Sequence, residues 1–218
     1  MGDFVAVLTA HWSIFREGFL TTVELFAISA VCSLVLGTTL GAMRVGPVPA
    51  LRAFGAAYVN IVRNTPLTLI FAFLVFGAPK LQILLDYFPT ACVALTAYTS
   101  AFVCEVVRAG VNTVPTGQAE AARALGLTFG QTLGAVVLPQ AVRSIVPPLM
   151  SVVIALLKNT TIAAGFSVLE AGAIPAYLAE QGEPRFPVLI WITIGFLVLI
   201  VPLAALQRYL ERRWAVLR

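Results

Sequence analysis

The chain has 218 residues, of which 60% are hydrophobic and 11% are charged, and its mean hydropathy is +0.95. About a quarter of the residues of a soluble domain are charged, so this composition excludes a soluble globular protein and indicates an integral membrane protein. The net charge of +4 does not point to nucleic acid, because the basic residues cluster where the cytoplasmic ends of membrane spans are expected. The three cysteines lie in apolar runs without paired spacing, and His11 is the only histidine, so we expect neither a disulfide nor a metal site.

Five segments are apolar enough to cross a bilayer, which takes about 20 residues each. Residues 1–17 lack the basic region of a cleaved signal peptide and are expected to lie outside the membrane. In the first span, Gly37 and Gly41 have the small-xxx-small spacing that allows close helix packing. The predicted spans are residues 19–43, 51–77, 89–107, 145–166 and 188–206.

The second segment is interrupted by Arg63-Asn64-Thr65-Pro66. One interpretation places residues 53–62 along the membrane interface, with the span beginning near Pro66. The other is a single tilted span kinked at Pro66. We favour the first interpretation, because it keeps Arg63 close to the interface, and Arg52 and Arg63 then share one helix face.

Charge bias predicts the orientation of the spans. The N-terminus is expected outside and the C-terminus in the cytoplasm. Nine arginines fall on the expected cytoplasmic side and three basic residues on the other: Arg44, Arg52, Arg108, Arg123, Arg143, Arg208, Arg212, Arg213 and Arg218 against Arg16, Lys80 and Arg185.

The loop at residues 109–143 is the longest stretch that does not resemble a membrane span. The alanine-rich run at residues 118–125 predicts a short helix, and Gly126 can end it with a positive φ. Thr128 and Gln131 have the spacing of a capping box and predict a second helix that runs toward Pro139. We therefore expect a helix–glycine–helix element in water between two spans.

Charged side chains at membrane depth are unfavourable by about 2.5–3.5 kcal/mol each and should face a wet cavity or the interior of a helix bundle. Glu105 and Arg108 are three residues apart and can pair. Lys158, Asn159, Thr160 and Thr161 form a polar patch within the fourth span, which we interpret as the lining of a substrate route. The alternative is a lysine that only pairs with a neighbouring helix. Residues 167–187 are polar again and suit an outer amphipathic helix and loop.

An enzyme is not expected. Neither lysine follows a glycine, so a nucleotide-binding loop is absent, and one histidine does not supply a catalytic triad or a metal centre.

Several co-linear motifs resemble one family. The run Glu120-Ala121-Ala122, Gly126 and Leu138-Pro139 resembles the EAA loop of ABC importer permeases. The polar amino-acid branch (histidine, glutamine, glutamate) is matched by further motifs: Val114-Pro115, Gly117-Gln118, Gln140-Ala141, Arg143, Pro147-Pro148-Leu149, Tyr58, Arg63-x-Thr65-Pro66, Glu105-x-x-Arg108 and Lys158-x-Thr160.

This resemblance implies a polytopic all-α fold of five transmembrane helices in a bacterial cell membrane, with a permease domain at residues 18–210 and a cytoplasmic tail at residues 211–218. It also implies the partners: a second permease subunit, identical or homologous, two cytoplasmic ATPase subunits that hold ATP and magnesium, and an extracytoplasmic substrate-binding protein. This chain would carry no cofactor. It would move between inward and outward access as the ATPases close.

The resemblance assigns residues to two sites. A coupling helix would contact the ATPase through Gly117, Glu120, Ala121, Ala122, Arg123, Leu125 and Gly126. The substrate path would include Arg63, Asn64, Thr65, Tyr98, Thr99, Glu105, Lys158, Asn159, Thr160 and Thr161.

Two departures from the pattern of the branch concern the substrate. Asn64 stands where the branch commonly has glycine, and Asn159 where it commonly has aspartate. With these two variants the chain resembles the permeases of actinobacterial glutamate importers. Our hypothesis is that Asn159 removes a negative charge beside Lys158, so that an acidic amino acid is accepted. An ion-coupled secondary transporter or channel is the alternative, and it predicts inverted repeats that the sequence lacks. A membrane scaffold would leave the Lys158 patch unexplained.

Overall fold

The computed structural model describes residues 2–214, and in this part of the chain helices form without any strand. Short 3₁₀ turns at Thr160–Phe166 and Ala171–Ala173 link α8 to α9. The helices are α1 (Gly2–Ala10), α2 (Trp12–Val45), α3 (Pro49–Arg63), α4 (Leu67–Ala72), α5 (Tyr87–Asn112), α6 (Thr116–Ala124), α7 (Phe129–Gln131), α8 (Leu138–Asn159), α9 (Ile174–Glu180) and α10 (Arg185–Trp214).

Four helices are long and apolar enough to cross a membrane: α2, α5, the continuous helix Phe129–Phe166, and α10. The all-helical membrane fold is confirmed, and there are five candidate spans if α3 and the helical segment Leu67–Leu81 count together. α2 begins at Trp12, within the segment 1–17 that we expected to precede the membrane domain, and α10 runs through to Trp214. Residues 215–218 of the expected tail lie outside the described residues.

The chain between Arg63 and Leu67 turns sharply. α3 and the segment Leu67–Leu81 differ in direction by 99°. The side chains of Asn64 and Thr65 bond to the carbonyls of Asn60 and Ile61, at 2.7 and 2.8 Å, and so satisfy the end of α3. A turn of this size fits two separate elements, as in the interpretation we favoured, better than one kinked span.

The core of the molecule is the contact between α2 and α5. A Cβ atom on Gly37 would lie 2.5 Å from Cβ of Val103, and one on Gly41 would lie 2.7 Å from Cγ1 of Val107. The two glycines therefore let the helix backbones meet, as their spacing predicts. Next to this contact, Leu25, Phe71, Leu95 and Leu156 are fully buried and join α2, α4, α5 and α8.

The fourth span differs from our prediction. We expected it to begin at Ile145, after a separate helix ending near Pro139. Instead one helix runs from Phe129 to Phe166. Residues Thr132–Val137 form a π-helical turn directly before α8, and Pro139 is the second residue of α8. Proline has no N–H to donate to the preceding turn, and the wider π turn accommodates it without a break.

A second core lies at the N-terminal end of α2. Phe15, Ile174, Leu178 and Val188 are buried there and join α2, α9 and α10. α1 is attached to α10 by the indole N–H of Trp191, which donates to the carbonyl of Phe4 at 2.7 Å. The polar stretch at residues 167–187 thus contains a short helix, α9, that is buried on one face, as predicted for an amphipathic helix.

Candidate functional site

The α6 helix has the features that the sequence predicts for a rigid, exposed element. It begins after Pro115, and Gly126 follows it with φ of +83°. The capping box is present: the Thr128 hydroxyl accepts from the N–H of Gln131 at 3.3 Å, and the Thr128 N–H donates to the Gln131 side chain at 2.9 Å. Ala122 is buried, and α6 packs against the π-helical turn. α6 is therefore held at a fixed angle to the long helix that begins at Phe129.

The outer surface of this element is apolar as well as charged. Leu125 is 82% exposed and Phe129 75% exposed. Large apolar side chains that lie together on a surface are typical of sites that contact another protein or lipid. The other residues predicted for coupling are also exposed, except Ala122: Gly117, Glu120, Ala121, Arg123 and Gly126. The sequence analysis missed Phe129, because its position at the start of a capped helix indicated only helix geometry.

Glu105 is surrounded by arginines. It accepts hydrogen bonds from Arg44 and from Arg108, the latter at 2.9 Å, and Arg63 lies 3.9 Å away. The predicted pair with Arg108 is confirmed. The contact with Arg44 was not predicted, because the two residues are 61 positions apart. One carboxylate faces three guanidinium groups, so this cluster ties α2 and α3 to α5 and leaves a surplus of positive charge.

Two adjoining cavities, of about 370 and 320 Å³, lie between α5, α8 and α10. Tyr98 and Thr99 line the first cavity and Lys158 lines the second, while Asn159 lines both. The guanidinium of Arg63 lies 5.2 Å from the centre of the Phe102 ring, which also lines the first cavity. The structure thus brings Tyr98, Thr99, Lys158 and Asn159 to the lining of two adjoining cavities, which we call the polar surface, and places Arg63 beside it.

The remaining predicted path residues lie elsewhere. Thr160 is fully buried, and its hydroxyl donates to the carbonyl of Leu157 at 2.8 Å. The hydroxyl of Thr161 donates to the carbonyl of Lys158 at 2.8 Å. In these bonds both threonines satisfy carbonyls at the end of α8, much as Asn64 and Thr65 do at the end of α3. Glu105 takes part in the arginine cluster.

Two residues of the polar surface were missed. Ser151 lines both cavities, and its hydroxyl accepts from the side-chain amide of Gln207 on α10 at 2.9 Å. Ser151 precedes Lys158 by two helical turns, so the helical period could have found it. Gln207 follows in a different span, and no spacing in the sequence links it to α8.

A buried carboxyl group, Glu170, lies in the turn between α8 and α9. It is fully buried and accepts a hydrogen bond from the Thr22 hydroxyl at 2.9 Å, while its other oxygen has no hydrogen-bond partner among the described residues. The Thr22 oxygen in turn accepts from the N–H of Ala171 at 3.0 Å. Burial raises the pKa of Glu170 to about 7, against the opposing effect of the hydrogen bond from Thr22. Through these hydrogen bonds to Thr22, Glu170 and Ala171 connect the turn after α8 to α2.

Within residues 2–214 the structure brings together no three side chains that could hold a metal ion. His11 bonds instead to Glu183 at 2.9 Å.

The sequence is similar to those of known proteins. Residues 33–216 match the sequence model of a family described as the binding-protein-dependent transport system inner membrane component. The chain is 41% identical over 211 residues to the glutamate transport system permease protein GluC of Corynebacterium efficiens, covering 91% of this chain and 92% of that one. It is 37% identical over 209 residues to the probable glutamine ABC transporter permease protein GlnM of Bacillus subtilis, covering 96% and 97%.

Two solved structures are similar in fold. A chain of an amino acid ABC transporter superposes with a TM-score of 0.90 at 25% identity, over 97% of this chain and 98% of that one. A chain of the MetNI methionine ABC transporter in an inward-facing conformation superposes with a TM-score of 0.76 at 22% identity, over 94% and 98%.

Proposed function

Because the chain belongs to the family of binding-protein-dependent transport system inner membrane components, we propose that it is the permease subunit of an ABC importer for glutamate or a closely related amino acid. The observation that carries this proposal is a single helix with an exposed docking element at one end and the polar surface near the other. The relatives named for glutamate and glutamine transport support the substrate class.

The proposed complex contains two permease subunits, identical or homologous, two cytoplasmic ATPase subunits and an extracytoplasmic substrate-binding protein. ATP and magnesium bind to the ATPase subunits. This chain supplies the path through the membrane and the element on which the ATPase acts.

Coupling follows from the continuity of the helix Phe129–Phe166. Its 38 residues extend over about 57 Å at 1.5 Å per residue. The ATPase contacts Leu125 and Phe129, and closure of the ATPase pair displaces this end. Since Gly126 ends α6, Thr128 caps the helix that follows and Ala122 is buried, the displacement moves the whole helix, including Lys158 and Asn159.

Charge at the polar surface supports an acidic substrate. Lys158 and Asn159 line the second cavity, and Arg63 lies beside the first. Among the described residues, neither cavity is lined by an aspartate or glutamate. Two carboxylates lie close by, and both already have partners. Glu105 is bonded to Arg44 and Arg108, and Glu211 accepts from the side-chain amide of Gln207 at 2.8 Å. A substrate carboxylate is therefore attracted to this surface and a cationic side chain is repelled.

The test of the substrate is uptake of labelled glutamate by the reconstituted complex. Glutamate and aspartate are expected to compete, and lysine and arginine are not. Lys158→Gln is expected to raise the KM for glutamate by about tenfold, which corresponds to about 1.4 kcal/mol. Lys80→Gln, an exposed lysine outside the polar surface, is the matched control and should leave KM unchanged. Equal competition by lysine would show that the surface does not select an acidic side chain.

The test of coupling uses Leu125→Asp. A charge on this exposed apolar residue is expected to weaken binding of the ATPase subunit, so that it dissociates during purification and substrate-stimulated ATP hydrolysis is lost. Leu84→Asp is the control, because Leu84 is similarly exposed, at 79%, in the loop before α5. The coupling role is wrong if both variants retain the ATPase equally.

A further inference from the structure

A groove of about 460 Å³ lies between the N-terminal half of α2 and α10 and is bordered by α1. The two long helices meet at Gly195, where an added Cβ would lie 2.0 Å from the Phe19 ring. Phe19 also packs against Phe196, with ring centres 5.6 Å apart. The groove lies beside this contact, and the proposed transport function does not use it.

The groove has two chemically different zones. Along most of the groove the lining side chains are aliphatic, and two of them, Leu20 and Val198, are 53% and 66% exposed. At one end lie Trp12, Arg16 and Trp191. The Trp191 ring is held in place by its bond to the carbonyl of Phe4. A cation flanked by tryptophans at the end of an apolar surface is typical of the headgroup level of a bilayer.

The residues of α2 align these zones along one helix face. Arg16 follows Trp12 by four residues and precedes Leu20 by four and Val23 by seven, which places the four side chains in a column. A phosphate at Arg16 therefore has aliphatic side chains below it for about two helical turns.

We propose that this groove is a binding site for an anionic phospholipid, with the phosphate held by Arg16 and an acyl chain along Leu20 and Val198. The site lies in the leaflet that faces the N-terminal end of α2. Charge complementarity identifies the occupant, because Arg16 is the only charged residue among those that line the groove in the described chain. A second copy of this chain would bury Arg16 against an apolar helix surface unless it supplied an anion.

Glu17 does not compete strongly for Arg16. Their charged atoms are 3.7 Å apart and the side chains are 59% and 70% exposed, a geometry in which an ion pair contributes little. Glu17 also turns away from the groove and lines a different cavity, beside Glu170.

The charge test is native mass spectrometry of the purified complex titrated with phosphatidylglycerol and, separately, with phosphatidylcholine. Phosphatidylglycerol is expected to bind at least fivefold more tightly. Arg16→Gln is expected to weaken its binding about fivefold, since one basic residue near a membrane surface contributes about 1 kcal/mol. Arg185→Gln is the matched control, an exposed arginine at the start of α10 outside the groove. An equal loss in both variants would overturn the site and leave only general surface attraction.

The shape test is Val198→Trp, which fills the groove without changing its charge. It is expected to reduce phosphatidylglycerol binding at least fivefold, whereas Val35→Trp, at a position 65% exposed on α2, should not. Unchanged binding in Val198→Trp, or equal affinity for the two lipids, contradicts the proposal. Cross-linking between two copies through Val198→Cys would show that a second chain occupies the groove, and would also overturn it.

Discussion

Two buried or half-buried carboxyl groups have opposite surroundings. Glu105 faces three arginines, so its charge is neutralised by positive side chains. Glu170 has only uncharged partners, the Thr22 hydroxyl and nearby backbone. The first group stabilises the fold as an ion, whereas the second stabilises it best when it is neutral.

For Glu170 the consequence is a dependence of stability on pH. Its pKa in the folded protein is raised to about 7 from an ordinary value of 4.5. Between these values the unfolded chain releases the proton and the folded chain retains it, so the free energy of unfolding falls as the pH rises from about 4.5 to about 7 and is constant above that. Glu170→Gln is expected to remove this fall and to be more stable than the parent at pH 8 by on the order of 3 kcal/mol.

The measurement is the Tm of the detergent-solubilised protein between pH 5 and pH 8. Glu17→Gln is the control, because Glu17 borders the same cavity but is 70% exposed. A variant at Glu170 that retains the pH dependence of the parent would show that the carboxyl group is ionised in the fold.

Replacing Glu105 should have the opposite effect. Glu105→Gln leaves Arg44, Arg108 and Arg63 close together without a counter-ion, and we expect a loss of about 2–4 kcal/mol in stability, discounted because the Glu105 side chain is 20% exposed. Arg63→Gln should lower stability by less than about 1 kcal/mol, because Arg63 is 3.9 Å away and 43% exposed. Thermal unfolding of both variants checks this, and equal losses would contradict it.

At the scale of helices, the α2–α5 contact depends on Gly37 and Gly41, and Gly37 has the closer neighbours. Gly37→Ala would place a methyl group 2.5 Å from Val103 Cβ and 2.7 Å from the Ser100 carbonyl oxygen. Since backbone cannot move aside cheaply, we expect a loss of about 1–3 kcal/mol, seen as lower expression and a lower Tm. Gly165→Ala is the control, because no described atom lies within 4 Å of its added Cβ. Equal Tm values would show that the helices can separate without loss.

The sequence predicted those helices whose start and end depend on residues close together in the chain. The alanines of α6, the positive φ of Gly126 and the Thr128–Gln131 capping box each depend on neighbours within one or two turns. The continuity of Phe129–Phe166 was not predictable in this way. Pro139 normally ends a helix, and the π-helical turn that accommodates it has no sequence signature that we used.

At the scale of the whole molecule, contacts between distant segments were the unpredictable part. The pairing of Arg44 with Glu105 and of Thr22 with Glu170 joins residues 61 and 148 positions apart. Four of the ten residues predicted for the substrate path line the polar surface: Tyr98, Thr99, Lys158 and Asn159. A fifth, Arg63, lies beside it against the Phe102 ring. Residue type and membrane depth indicated that these side chains line a polar path. The side of the helix on which each side chain lies depends on packing against other helices, which the sequence does not show.

Orientation in the membrane stays a prediction, and it has a direct test. In a variant without native cysteines, Leu84→Cys is expected to react with a membrane-impermeant maleimide on intact cells. Leu125→Cys is expected to react only after the cells are permeabilised. Both positions are highly exposed, at 79% and 82%, so accessibility within the protein is matched. The reverse pattern would place the N-terminus in the cytoplasm.

The unbroken helix from Phe129 to Phe166 also has a thermodynamic consequence. If its two ends move together, the free energy of binding at one end depends on what is bound at the other. Such linkage is reciprocal. If nucleotide binding to the ATPase changes the affinity of the complex for amino acid by some factor, amino-acid binding changes the affinity of the ATPase for that nucleotide by the same factor. Heterotropic coupling of this kind can be read from binding equilibria alone, without a single turnover of the transporter.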